Sequence, residues 1–178
     1  MTWKDFSAQK VAVVSHNHNV LNRYGHQDFS EHFSQINRTC DNQGCDTVLY
    51  SLFTWDEKSP APRNHKNIFK DLKNVKCVIL EMGNKKSVRK FVEIWLADEQ
   101  KPLVVEQYFA KSSESYRLKR DFVNDVKTRV FGNSILVICG ESNIVSYVPN
   151  DGSFKDPFEF NQILKKQKVK FVFNPLHD

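Results

Sequence analysis

Long hydrophobic runs, paired cysteines and glycine-rich loops are all missing from this chain. No apolar stretch approaches the roughly 18 residues that a membrane-crossing helix requires, and no apolar segment follows a basic one at the N-terminus. These absences predict a protein with no membrane span and no secretory leader. Four cysteines in 178 residues are few for a disulfide framework. Cys77 and Cys139 lie in apolar stretches, while Cys40 and Cys45 flank the polar loop Asp41-Asn42-Gln43-Gly44 with no second pair to complete a zinc site. The reading is a cytoplasmic protein in a reducing compartment, with no metal and no cofactor. No repeat, low-complexity tract or linker breaks the sequence, so residues 1–178 are expected to form a single α/β domain.

The net charge of +5 comes from 26 Lys and Arg against 21 Asp and Glu. The densest basic groups are Lys85-Lys86-x-x-Arg89-Lys90, Arg117-x-Lys119-Arg120 and Lys165-Lys166-x-Lys168-x-Lys170. Each falls on or beside an expected amphipathic helix, where a solvated face accounts for it. A basic surface alone gives salt-sensitive nonspecific contact with nucleic acid, which is the weaker partner expectation. His16 and His18, one residue apart, lack a third ligand and read as polar surface.

Apolar, β-branched runs predict strands at 10–16, 46–55, 75–81, 102–111, 134–138 and 169–175. Helical spacing predicts helices between them: from an Asp28 N-cap to near Gly44, over 65–73, from a Ser87 cap through Val88, Phe91, Val92, Trp95 and Leu96, over 116–127, and from Asp156-Pro157 onward. Asn150-Asp151-Gly152 is a turn signal. Regular alternation of strand and helix predicts a mostly parallel six-stranded α/β sheet with flanking helices, either half of a sandwich or a doubly wound sheet.

The stretch Ile135-Leu136-Val137-Ile138-Cys139-Gly140-Glu141 carries the chemistry. A buried strand that stops at a cysteine puts the thiol where such sheets bind ligands, and Gly140 lets the chain turn tightly there. Glu81 ends the third predicted strand and Lys111 the fourth. A carboxylate can take the thiol proton, and a lysine can favour the thiolate and stabilise a developing oxyanion. Glu81, Lys111 and Cys139 are therefore the candidate catalytic residues.

The segment Leu136 to Glu141, followed by a helix and then Phe171-Val172-Phe173-Asn174-Pro175-Leu176-His177-Asp178, resembles the nucleophile region of the nitrilase-like carbon–nitrogen hydrolases, as a truncated or divergent member. The Glu, Lys, Cys order of that family is matched by Glu81, Lys111 and Cys139. Where the family carries a proline-glutamate turn after its second strand, this chain reads Tyr50-Ser51-Leu52, so either Glu81 or Glu57 supplies the base. The resemblance implies an αββα sandwich and attack on a small amide or nitrile through a thioester released by water. The alternative from another class is an inactive α/β binding or regulatory module for a nucleotide, nucleic acid or protein partner. A nucleotide-handling enzyme is disfavoured, because Ser15-His16-Asn17-His18 stands where a phosphate loop would follow the first strand.

Overall fold

Apolar runs in the first part of the chain become β1 (Val11–Val14), β2 (Thr47–Tyr50), β3 (Cys77–Met82), β4 (Phe91–Leu96) and β5 (Leu103–Glu106). The computed structural model describes residues 3–15, 31–51, 55–56, 59, 63–83, 91–111 and 113–175. The five strands lie in that order in one mixed sheet. β1, β2 and β3 run parallel, with α1 (Phe33–Asn42) between the first two and α2 (His65–Ile68) between the second two. β3, β4 and β5 form an antiparallel meander. Past α3 (Tyr116–Asp125) come β6 (Val130–Phe131) and β7 (Ser134–Leu136), then the hairpin of β8 (Ser146–Val148) and β9 (Ser153–Lys155), α4 (Phe160–Lys166) and β10 (Phe171–Phe173). β10, parallel, and β6, antiparallel, flank β7 in a second, three-stranded sheet.

Side-chain alternation assigns the faces. Leu49, Cys77, Ile79, Val92, Ile94 and Val105 of the large sheet share one core with Leu136 and Phe173 of the small one and with Ile138 just past β7, so the two sheets pack face to face. The opposite face of the large sheet, including Val48, Tyr50, Val78 and Leu80, packs with Phe33 and Ile68 of α1 and α2. Ile135 and Val137 on the outer side of the small sheet pack with Phe122 of α3 and Phe160 of α4. The layers thus run helices, five strands, three strands, helices.

This corrects the expectation of a mostly parallel six-stranded sheet. The described strands form sheets of five, three and two, and only part of the large sheet is parallel. The largest single cause is the segment expected as a helix from Ser87: residues 91–96 are strand β4, pairing from Phe91↔Met82 to Leu96↔Cys77. Phe91, Val92, Trp95 and Leu96 satisfy helical spacing, but with Ile94 between them the run is apolar on both sides, five of its six residues are buried, and it belongs to a strand covered on two faces. Glu93, the one charge in it, lies on the helix side, where its carboxylate accepts from Trp95 Nε1 at 2.9 Å and pairs with Arg63 at 3.0 Å. The histidines of the 16–30 segment, Asp28 and Ser87 lie outside the described residues.

Two polar anchors fix the helix layer to the large sheet. Tyr50 donates to Asn37 Oδ1 at 2.7 Å, and Asn37 Nδ2 donates to the Ile68 carbonyl at 3.3 Å, tying β2, α1 and α2. Asp41, at the end of α1, accepts from the backbone N–H of Lys73, Asn74 and Val75 at 2.6–2.9 Å, which fixes the chain entering β3. Burial alone would raise the Asp41 carboxyl, but these three N–H groups, helped by Lys76, hold it below its ordinary value. Asp41→Ala should therefore lower unfolding stability by about 2 kcal/mol, the scale of leaving buried N–H groups unpaired. A depressed carboxyl stabilises the fold above its unfolded value, about 3.9, and loses that contribution as pH falls through the lower native value. Urea titrations should show the wild-type advantage over Asp41→Ala intact at neutral pH and shrinking below about pH 4. A gap that does not depend on pH would refute this account of Asp41.

Candidate active site

Cys139 sits just beyond β7, and its backbone is unusual. After Ile138, still extended at φ −92° and ψ 118°, the chain enters a 3-10 turn, Cys139–Ile144, through a left-handed φ of +40° at Cys139. For a residue with a Cβ this conformation costs about 1–2 kcal/mol. Among the described residues Asp71, Glu159 and Lys168 also have positive φ, and all three are exposed; Cys139 is half-buried against the core between the sheets. Its position is held from both sides. The Cys139 N–H donates to the Pro175 carbonyl at 3.2 Å, and Ser142 Oγ donates to the Cys139 carbonyl at 2.9 Å. Backbone strain of this kind persists only where surrounding contacts over-determine it.

Lys111 is exposed, at the end of the segment that follows β5, and that segment is docked on the cysteine turn. Gly140 is pressed against Ala110: a Cβ at position 140 would come within 2.1 Å of the Ala110 carbonyl oxygen. Gln107 Nε2 donates to the Ile138 carbonyl at 3.3 Å, and the Tyr108 N–H donates to Glu141 Oε1 at 2.6 Å. The residue before Lys111 thus touches the residue after Cys139. Glu81, fully buried, pairs with Val92 in β3 and β4 and follows Cys77 and Ile79 in alternation, which turns its side chain toward the small sheet. Glu81 and Cys139 therefore border the same inter-sheet layer. Glu57 and His177 lie outside the described residues, while Asp56 is buried where Trp55 bridges to Met82.

A buried ion pair ties the turn to Arg129, which precedes β6. Arg129 and Glu141, 2% and 0% exposed, meet at 2.6 Å between Arg129 NH1 and Glu141 Oε2. The same carboxylate accepts the Ile138 N–H at 2.8 Å, and Arg129 NH2 donates to the Glu106 carbonyl. The guanidinium is flanked by the rings of Tyr108 and Phe122, at 5.1 and 5.0 Å. Burial pushes the Glu141 carboxyl above its ordinary value, against the opposing pull of Arg129 and the two N–H groups. The legible signal was an acid inside an apolar turn, which requires a partner. Spacing could not say which of 26 cations it is.

The remaining thiols differ. Cys40, half-buried in α1, and Cys77, inside β3, are both pushed up by burial, and Cys45 is buried rather than exposed in a loop. Among the described residues, no three His, Cys, Asp or Glu side chains are grouped to hold a metal ion, and no helix is long and apolar enough to cross a membrane. No family model, curated protein or solved structure matches the chain.

The Gly140 contact is backbone on backbone, so it has no flexible end to yield. Gly140→Ala should destabilise the protein by about 2 kcal/mol, the scale of overpacking, and lift the 106–110 segment off the turn. Thermal unfolding and hydrogen exchange at Tyr108 would register both effects, and an unchanged Tyr108 amide would contradict the docking.

Proposed function

We propose that this chain is a nitrilase-like thiol hydrolase acting on a small amide or related carbon–nitrogen bond. The observation that carries the reading is the left-handed backbone of Cys139 at the junction of a buried strand and a tight turn. A thiol displayed on such a turn stands clear of its own strand, and strain there is characteristic of nucleophiles and ligand clamps. The docking of the segment that leads to Lys111 and the inward face of Glu81 support the same reading.

In this mechanism Glu81 takes the proton of Cys139, and the sulfur attacks the substrate carbon. With an amide, a C–S bond forms, the carbonyl electron pair moves onto oxygen and Lys111 stabilises the negative charge. When the tetrahedral adduct collapses, the C–N bond breaks and the proton held by Glu81 goes to the departing nitrogen. Water then gives a proton to Glu81 and adds to the thioester. Breaking the C–S bond releases the acid and returns the proton to sulfur.

Brief iodoacetamide treatment of the folded protein, with mass-spectrometric mapping, tests the nucleophile. Cys139 should be modified first, and Lys111→Met should slow it by tenfold or more, on the order expected for loss of an adjacent cation. Ammonia release from a panel of small aliphatic and aromatic amides should disappear in Cys139→Ala. A Cys139 that reacts only after denaturation, or equally fast without Lys111, would sink the hydrolase and leave an α/β binding module.

A further inference from the structure

The Arg129–Glu141 pair is the most deeply buried ion pair among the described residues, and the hydrolysis scheme does not use it. Its contacts converge on both sides of the cysteine. One Glu141 oxygen takes the Tyr108 N–H, in the segment leading to Lys111; the other takes Arg129 and the Ile138 N–H, which immediately precedes Cys139. Arg129 in turn holds the Glu106 carbonyl at the end of β5. Two elements from different sheets, the exit of β5 and the exit of β7, are thereby joined through a single carboxylate. A hydrophobic pair of the same volume could fill the space, but it could not fix the two backbones in register.

We propose that Glu141, oriented by Arg129, is a positioning residue that sets Lys111 against Cys139. The proposal rests on the hydrolase reading and adds to it the device that assembles its cation and its nucleophile. Glu141 touches neither substrate nor reacting atoms. It acts by fixing where two backbone segments meet, and a displacement of about 1 Å at such a junction can cost on the order of a hundredfold in rate.

Glu141→Gln keeps the volume and one acceptor oxygen but turns an amide donor toward either Arg129 or the Tyr108 N–H. The experiment compares Cys139 alkylation in four folded proteins: wild type, Lys111→Met, Glu141→Gln and the double variant. The expected result is that Glu141→Gln slows Cys139 by about tenfold to a hundredfold while labelling of Cys40 is unchanged. Lys111→Met should then add little in the Glu141→Gln background, because the lysine is no longer held in place. Val48→Ala, on the far face of the large sheet, serves as a control matched in thermal stability and should leave the Cys139 rate unchanged. If Glu141→Gln does not fold, Arg129→Lys replaces it, keeping the charge and losing the fork. Additive effects of the two substitutions, or an equal slowing in Val48→Ala, would reduce the pair to a structural role. A wild-type Cys139 with no lead over Cys40 would overturn the hydrolase reading itself, and that outcome is visible before any variant is made.

Discussion

The fold depends on two sheets burying their faces against one another. Ile79, Ile94 and Val105 on one side and Leu136, Ile138 and Phe173 on the other share a single core, and no strand can slip by one residue without exchanging its inner and outer sets. For β3 a slip would carry Val78 and Leu80 into the inter-sheet core and turn Cys77 and Ile79 toward the helices. Register is therefore specified from both faces at once. The same constraint sends Glu81 inward, since it alternates with Cys77 and Ile79 and shares its side with Val92. A carboxylate on that face is neither incidental surface nor a helix-side solubiliser.

The second consequence concerns how the polar groups are reached. β7 and β5 belong to different sheets, so neither backbone ladder can set the distance between their exits. That relation is left to tertiary contacts outside the ladders: the Gly140–Ala110 approach, the Gln107 bond to Ile138, and the bridge through Glu141 and Arg129. A glycine where a Cβ would strike backbone and a carboxylate shared by three donors are short, stiff connections. They fix an angle as well as a distance, which hydrophobic packing alone does less well.

Much of this was readable from local pattern, and the failures have identifiable causes. The apolar runs at Val11–Val14, Thr47–Tyr50, Cys77–Met82 and Leu103–Glu106 were found as strands, α3 fell inside its expected span, and Asn150-Asp151-Gly152 marked the turn of the β8–β9 hairpin. The expectation that Gly140 permits the tight turn is corrected: the left-handed φ falls on Cys139 itself, and what Gly140 permits is the close approach of Ala110. β4 was misread because periodicity cannot separate a helix stripe from a strand buried on both faces when nearly every residue is apolar. That one error removed an antiparallel strand and made alternation look like parallel crossovers. The division into two sheets was illegible for a different reason: it depends on which strands pair, and β10 with β7 is a contact across 37 positions that local spacing does not record. The Arg129–Glu141 pair is illegible on the same ground, since the partners lie 12 residues apart with β6 and β7 between them.

The buried pair also shows why stability is the wrong measure of its role. Taking two charges out of water is costly, and their attraction restores that loss only when geometry and additional hydrogen bonds are good. Here the carboxyl is raised by burial despite Arg129 and two N–H groups, so the folded protein binds that proton more tightly than the unfolded chain does. By linkage, the contribution of this group to stability is largest below its unfolded value and falls as pH rises through the native one. Ionised, the group therefore contributes less to stability than it does protonated, and it sits at the turn where Cys139 is also held in a left-handed conformation. A fully buried carboxylate and a left-handed cysteine at one junction, both over-determined by surrounding bonds, are what a site looks like when geometry has been favoured over stability. Apolar side chains of similar volume often match or exceed the stability of a buried ion pair, but they have no hydrogen bonds with which to hold the exits of β5 and β7 together.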